Sequence, residues 1–228
     1  MFWSFCSPKG GVGTSVVAAS VAAVSAATRP TLVVDFGGDM AQILGVDTFG
    51  RQGINDWLAA SSDVGVESLD NLVVEVSSNL ALLPCGSAPS PNIPVERVVH
   101  MVRSLHSGGR DVIADVGTLA SPSDPRAIAC VSGDRTTCVI RACYLTLRRF
   151  SNLPVTIDDI VEIEEPGRAL RTIDIEAVVR MPVSARIPLD PAIARAVDAG
   201  LLNRRLPRNL RRNAQTLIAS GHSVGVAA

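Results

Sequence analysis

The residues best suited to chemistry lie between Ser7 and Ser15, in the segment SPKGGVGTS. It is close to the phosphate-binding pattern G-x-x-x-x-G-K-[ST], whose glycines let backbone N–H groups surround a phosphate. Pro8 takes the first glycine position and Thr14 the lysine position, while Gly13 is in place and Ser15 offers a hydroxyl for Mg²⁺. The segment predicts phosphate binding with impaired hydrolysis, because Thr14 carries no charge. The alternative is a glycine-rich turn that binds nothing.

Two aspartates end apolar runs elsewhere in the chain. Asp35 ends TLVVD and Asp115 ends DVIAD. A carboxylate at the end of a buried strand can hold Mg²⁺ beside a nucleotide. Asp39 follows two glycines and offers a third carboxylate near Asp35. The alternative for each aspartate is a residue that only ends a buried strand.

These side chains need a scaffold, and the chain alternates apolar runs with helical stretches. Strands that are apolar on both faces and separated by helices predict an α/β fold, with a mostly parallel sheet covered on both sides. We expect one domain over residues 1–228, with an Arg-rich helical tail from about residue 200. The predicted strands are Phe2–Cys6, Thr31–Phe36, Leu72–Val76, Leu80–Leu83, Asp111–Val116, Thr137–Arg141, Thr156–Ile163 and Val183–Ile187. The predicted helices are Ser15–Ala27, Ile54–Ala60, Val95–Leu105, a stretch after Pro166-Gly167, and Pro191–Gly200.

The first loop resembles the deviant Walker A loop of the MinD/ParA group of P-loop ATPases. The resemblance lies in Lys9-Gly10-Gly11-Val12-Gly13 followed by Thr14-Ser15. It implies that these residues bind the nucleotide and that Lys9, as the early lysine, reaches the phosphates of a partner subunit. Thr14 is similar to the small residue found there in CpaE/TadZ-like members, which are linked to Flp (Tad) pili and secretion.

Three later segments extend the resemblance over residues 1–200. Asp35 matches the first aspartate of the D-x-D motif, and Gly37 replaces the second, for which Asp39 is a substitute. Asp115 matches the Walker B aspartate. The segment ARIPLD ending at Asp190 resembles the late IPxD stretch, which implies that Pro188 and Asp190 lie beside the base. The family's Asn-Arg or Asn-Lys adenine pair is absent, since Val161-Glu162-Ile163-Glu164-Glu165 occupies that region.

The resemblance implies ATP and Mg²⁺ as cofactors, a nucleotide-sandwich homodimer and slow or absent hydrolysis. It assigns catalytic roles to Lys9, Asp35 and Asp39, and metal binding to Ser15, Asp35 and Asp115. The implied function is the positioning or assembly of a pilus, secretion or septum apparatus, through a secretion or pilus ATPase or a septal protein. Two alternatives stay open: a non-catalytic scaffold with a degenerate loop, and a ParA-like partitioning protein tethered to DNA.

Charge is distributed unevenly along a chain whose formal net charge is −1. Residues 199–228 contain no acid and five arginines, which are Arg204, Arg205, Arg208, Arg211 and Arg212. They predict contact with DNA or an anionic membrane, or simply a solvated helix face. The five cysteines form no metal-binding spacing and are expected to be reduced thiols. We expect a cytoplasmic protein without a signal peptide, or one peripheral to the inner face of the membrane, the pole or the septum.

Overall fold

Eight strands form one sheet in the order β3-β4-β2-β5-β1-β6-β7-β8. The computed structural model describes residues 1–61, 63–87, 94–119, 121 and 124–222. All neighbouring strands are parallel except β3, which pairs antiparallel with β4. The strands are β1 Phe2–Ser7, β2 Thr31–Asp35, β3 Val74–Ser77, β4 Leu80–Leu83, β5 Asp111–Thr118, β6 Arg135–Arg141, β7 Asp159–Glu164 and β8 Val183–Pro188. The predicted mostly parallel α/β sheet is confirmed.

Helices follow most strands and cover both faces of the sheet. They are α1 Thr14–Ser25, α2 Met40–Leu44, α3 Ile54–Ala59, α4 Val95–Ser107, α5 Ala127–Ser132, α6 Tyr144–Phe150, α7 Thr172–Val179, α8 Pro191–Asp198 and α9 Arg208–His222. A 3₁₀ helix over Val66–Leu72 delays β3 by two residues relative to its prediction. None of the helices in the described ranges combines the length and apolarity needed to cross a bilayer.

Two apolar cores lie on opposite faces of the sheet. One core packs α3, α4, α5 and α7 against the strands, and the other packs α1, α2, α8 and α9. Strands β1 and β2 are buried along their whole length, as expected for central strands between two helical layers. This burial holds the carboxyl ends of the central strands, and the loops that follow them, in fixed relative positions.

Helix α9 is held on the sheet by a buried arginine at the start of β6. The Arg135 side chain donates from Nε to Asp159 Oδ2 at 2.5 Å and from Nη1 to the Leu217 carbonyl at 2.8 Å. Its guanidinium also lies 4.0 Å from the centroid of the Trp3 ring. Because α9 packs against α1 and β8, this anchor supports the helix that begins at the phosphate-binding loop.

Two glycines allow α2 to approach the chain just after α8. Gly45 ends α2 at φ 69°, and Gly200 has φ 62°. A Cβ built on Gly45 would overlap the Gly200 carbonyl oxygen. Since α2 and α8 carry Gln42 and Asp198 into the same cleft, this contact supports one wall of the candidate site.

Gly45→Ala should therefore destabilise the protein by about 2–5 kcal/mol, through left-handed strain and overpacking. Gly50→Ala is the matched control, because Gly50 also has φ 69° but has open space around its Cβ position. We expect the control to cost only about 1–2 kcal/mol. Equilibrium unfolding in urea measures both, and equal losses would contradict the close approach.

Candidate functional site

The loop between β1 and α1 turns with two glycines in the left-handed region. Gly11 has φ 72° and Gly13 has φ 102°, values that side-chain-bearing residues rarely adopt. Gly13 is the N-cap of α1, with no side-chain cap hydrogen bond and no acidic residue in the first turn. The first N–H groups of α1 therefore have no partner within the helix, and they present partial positive charge to an anion.

The loop lines a cleft of about 710 Å³ at the carboxyl edge of the sheet. Strands β1, β2, β5 and β6 end there, and ligands of open α/β sheets bind in such crevices. The predicted residues on its wall are Gly10, Gly11, Gly13, Thr14, Ser15 and Asp39. A larger cavity of about 850 Å³ lies near the opposite edge, among α1, α9 and Met1, and contains none of the residues predicted to bind nucleotide or metal. The chemistry favours the smaller cleft.

Asp115 is a buried carboxylate that does not itself line the cleft but lies directly behind the lining residues Gly37 and Gly117. Its side chain is fully buried, and Oδ1 accepts a hydrogen bond from the Gly117 N–H at 3.1 Å. Burial, together with the charge of Asp35, raises its pKa to about 7, against the opposing effect of the nearby Ser15 hydroxyl. Nevertheless Oδ2 has no hydrogen-bond donor in good geometry among the described residues.

Asp35 lies next to Asp115, but backbone groups already engage its carboxylate. Oδ1 accepts from the N–H groups of Gly37 at 2.9 Å and Gly38 at 2.7 Å, and Oδ2 accepts from Met40 at 3.1 Å. Burial raises its pKa, and these hydrogen bonds partly oppose the rise. One task of Asp35 is therefore to shape the turn into α2.

Gly37 separates the two carboxylates. A Cβ built on it would lie 3.4 Å from Asp115 Oδ2 and 3.7 Å from Asp35 Oδ1, which is ordinary contact. Position 37, where the resemblance expects a second aspartate, thus lies beside both carboxylates and has room for a Cβ. Asp39 is exposed on the same wall, and its charge contributes to raising the pKa of both Asp35 and Asp115.

Lys9 does not line the cleft of its own chain. Its Nζ donates only to the Gly10 carbonyl, at 3.4 Å, among the described residues. The ammonium lies toward α6. Burial raises the pKa of Cys143 there, but hydrogen bonding with Thr146 and the charges of Lys9 and Arg168 lower it overall. Lys9 therefore lies on the outside of the loop.

The cleft of about 710 Å³ beside the loop is the phosphate-side cleft. A smaller, apolar cavity of about 260 Å³ adjoins it. Its walls include Val12, Gly13, Ile163, Pro188 and Asp190. The sequence-predicted Pro188 and Asp190 are thus brought next to the loop. Asp190 also caps α8, since its Oδ1 accepts from the Ala192 N–H at 2.7 Å. An apolar pocket beside a phosphate cradle is suited to a flat, aromatic base.

The β7 segment that replaces the adenine pair lines the apolar cavity only through Ile163, while its three glutamates lie elsewhere. Glu162 is buried, and its Oε2 accepts a hydrogen bond from the Thr172 hydroxyl at 2.7 Å. Glu164 pairs with Arg186, and Glu165 pairs with Arg168. These carboxylates line a separate groove facing α7, and the charged residues that line the apolar cavity are instead Arg141, Asp190 and Asp198.

Two arginines that the sequence patterns did not indicate also line the phosphate-side cleft. Arg126 comes from the segment before α5, and Arg141 is the last residue of β6. Arg141 lines both cavities. The sequence did place Arg141 at the carboxyl end of a parallel strand, and this position could have indicated that it lies at the ligand-binding edge of the sheet. Arg126 had no such signal.

The donor set fits a magnesium ion held with a nucleotide. The orphaned, buried Asp115 Oδ2 and the nearby Ser15 hydroxyl are hard oxygen donors, which Mg²⁺ prefers. The described residues contain no group of three or more His, Cys, Asp or Glu side chains arranged to hold a metal alone. This agrees with the way Mg²⁺ is commonly bound, through one or two protein groups plus phosphates and water.

Solved structures provide the comparison, since no family model matches this sequence and no curated protein matches it significantly. A ParA family ATPase from Chlorobium tepidum is 26% identical, with a TM-score of 0.77 over 94% of this chain and 96% of its own. The septum site-determining protein MinD of Pyrococcus horikoshii, in complex with Mg-ADP, is 19% identical, with a TM-score of 0.78 over 98% and 96%.

A chain of the MinC:MinD cell division protein complex of Aquifex aeolicus is 18% identical, with a TM-score of 0.76 over 95% of each chain. The likeness extends through the whole sheet and its helices, and the chain spans nearly the full length of each of these proteins. The structural neighbours of this chain are therefore MinD/ParA-family P-loop ATPases, and the chain has their fold.

Proposed function

We propose that this chain binds Mg²⁺ and a nucleotide, ATP by resemblance, as a positioning or assembly factor of the MinD/ParA type. The observation that carries the proposal is the buried Asp115 Oδ2, which has no hydrogen-bond partner among the described residues and lies near Ser15 in the first turn of α1, where the glycine loop leaves the helix start uncapped. The Mg-ADP complex of the P. horikoshii relative supports it. In this proposal Gly10, Gly11, Val12, Gly13, Thr14 and Ser15 surround the phosphates, while Pro188 and Asp190 lie beside the base.

Bound Mg²⁺ would neutralise charge on the terminal phosphates. Asp115 and Ser15 would hold it. Asp35 would orient the adjoining turn, and the backbone N–H groups that donate to Asp35 would reduce the repulsion between its charge and that of Asp115. Asp39, exposed on the cleft wall beside Gly37, would order a water. Hydrolysis should be slow, because Thr14 offers no charge to the leaving phosphate and Gly37 has no carboxylate.

The proposed working unit is a homodimer of single-domain chains spanning residues 1–228. In a pilus, secretion or septum apparatus, nucleotide-linked dimerisation would control contact with a secretion ATPase or septal protein. The MinC:MinD complex of the A. aeolicus relative is the precedent for a partner. The alternative of a DNA- or membrane-tethered protein depends on Arg204, Arg205, Arg208, Arg211 and Arg212, all exposed on or before α9. Strong salt dependence of polyanion binding would favour that alternative.

Lys9→Ala should weaken the ATP-promoted dimer. Lys9 lies outside its own cleft and is free to reach a partner's phosphates. One charge-assisted contact contributes about 1.5–3 kcal/mol, so the loss of two per dimer should weaken dimerisation by at least about 100-fold. Sedimentation velocity with and without Mg-ATP measures the change.

Lys9→Arg is the matched control, because it keeps the charge and should retain part of the dimer. Lys9 is the only lysine in the sequence, so its acylation by an amine reagent can be followed by mass spectrometry. ATP should protect Lys9 in the dimer. An ATP-promoted dimer of unchanged strength in Lys9→Ala would contradict the assignment.

A further inference from the structure

The phosphate-side cleft lacks the lysine charge that its loop pattern would supply, yet two guanidinium groups line it. We propose that Arg126 and Arg141 supply positive charge for nucleotide binding, at opposite ends of a bound nucleoside triphosphate, while the lysine's role in the chemical step stays unfilled. Arg126 contacts the terminal phosphate, and Arg141 contacts the α-phosphate and ribose. The inference rests on the proposed nucleotide binding and adds the residues that supply its charge.

Arg126 is held rigidly with one donor to spare. Its Nε and Nη2 donate to the two Asp124 carboxylate oxygens at 3.0 and 2.6 Å, while Nη2 and Nη1 also donate to the carbonyls of Thr118 and Val116. Nη1 makes only this one bond to the described residues, so its second N–H remains for a ligand. A guanidinium fixed in this way loses little entropy on binding phosphate.

The position of Arg126 places it at the Mg²⁺ end of the cleft. A Cβ built on Gly117 would lie 3.8 Å from Arg126 Nη1 and 3.6 Å from the Gly37 Cα. Gly117 follows Asp115 by two residues and donates to its Oδ1. Asp115 and Ser15 would hold Mg²⁺ beside the terminal phosphates, so the Arg126 guanidinium lies at the end of the cleft where a terminal phosphate would bind.

Arg141 lies where the two cavities meet. Along with Gly13, Val16, Val197 and Asp198, it lines both the phosphate-side cleft and the apolar cavity. A nucleotide with its base in one cavity and its terminal phosphates in the other must pass Arg141 with its α-phosphate and ribose.

Arg141 is also poorly satisfied by protein groups. Its Nε is buried and has no acceptor among the described residues, and Nη1 lies 3.7 Å from Glu165 Oε2, beyond hydrogen-bond distance. Arg168 already donates to that oxygen at 2.9 and 2.5 Å, so Glu165 does not depend on Arg141. A buried guanidinium N–H without an acceptor favours an anionic ligand.

The test titrates Mg-ADP and Mg-ATP into wild type, Arg126→Met and Arg141→Met by calorimetry. Arg141→Met should weaken both nucleotides by the same factor of about tenfold or more, because both carry an α-phosphate. Arg126→Met should weaken ATP at least about tenfold more than ADP. Arg186→Met is the control, since Arg186 pairs with Glu164 in a separate groove and should leave both affinities unchanged.

Arg126 also supports the carbonyls of Val116 and Thr118, so Arg126→Lys is measured beside it. A purely structural role would reduce ADP and ATP binding equally in both variants and overturn the assignment of Arg126. A terminal-phosphate contact would change the ATP-to-ADP ratio, with partial recovery in Arg126→Lys. If wild type binds nucleotide and the arginine variants bind it with unchanged affinity, this inference alone is overturned. If wild type binds no nucleotide, the proposed function is overturned as well.

Discussion

Replacing Asp115 with asparagine should stabilise the metal-free protein at pH 8 and remove the Mg²⁺ dependence of nucleotide binding. Burial raises the Asp115 pKa to about 7 in the folded chain, against about 3.9 for an unfolded aspartate. The folded state therefore binds more protons between these values, and stability falls as pH rises from about 4 to 7. Above pH 7 the loss is complete, and it amounts to as much as about 4 kcal/mol.

Asparagine does not ionise, so Asp115→Asn should be clearly more stable than wild type at pH 8. Its advantage should be smaller at pH 5, where Asp115 is neutral in the folded chain but ionised in the unfolded chain. Urea unfolding in EDTA at the two pH values measures this difference. Asp63→Asn is the control, because Asp63 is exposed and does not line the cleft. The same pH dependence in Asp115→Asn and wild type would contradict the buried, unpaired carboxylate.

With nucleotide present, wild type should gain stability from Mg²⁺ that Asp115→Asn does not gain. Mg²⁺ favours the ionised form of Asp115, so Mg-ATP should stabilise wild type more than ATP in EDTA does. Asp115→Asn should lose this difference. Suppose that Asp115→Asn is more stable than wild type without ligand, but gains no extra stability from Mg²⁺ with ATP. Asp115 would then serve ligand binding at the expense of the stability of the fold.

The double variant Thr14→Lys/Gly37→Asp should raise the rate of ATP hydrolysis by about 100-fold or more. Removing one charge-stabilising donor commonly costs about 10²–10³ in rate, and the double variant adds both a lysine and the second aspartate. Gly37 tolerates a Cβ at ordinary contact distance from Asp35 and Asp115. Single-turnover phosphate release on purified protein measures the rate.

The effects of the two single substitutions, Thr14→Lys and Gly37→Asp, on stability and hydrolysis should not be additive. Gly37→Asp alone places a third carboxylate beside two that already repel, so it should destabilise the metal-free protein. The lysine in the double variant offsets this charge. Thr14→Met/Gly37→Asp is the control, since methionine approximates lysine in length without its charge. Equal hydrolysis by the lysine and methionine versions would show that the charge missing at Thr14 does not limit the reaction.

The glycine loop and the apolar strands could be predicted because their signals are local. Gly13 precedes α1, and Asp35 and Asp115 lie in neighbouring strands, as the sequence pattern indicated. Parallel strands bring their carboxyl ends to one edge, so strand-terminal side chains meet even when they are 80 residues apart. The same rule explains why Pro188 and Asp190 lie next to the loop.

The remaining features depend on contacts that no local pattern carries. Helices α2, α5 and α6 have five to seven residues, too few to show helical periodicity. Arg126 lines the cleft only because Asp124 and two backbone carbonyls hold its side chain there. The engagement of Asp35 by three N–H groups likewise depends on the turn after β2. These contacts decide how charge is distributed at the site.

The most direct test measures Mg-ATP binding and phosphate release on the same wild-type sample. The account predicts Mg²⁺-dependent binding with a raised unfolding midpoint, and turnover far below the roughly 1 s⁻¹ at the lower end of typical enzymes. No binding at millimolar Mg-ATP would contradict the phosphate cradle. Rapid turnover would instead contradict the conclusion that Thr14 and Gly37 impair the chemical step.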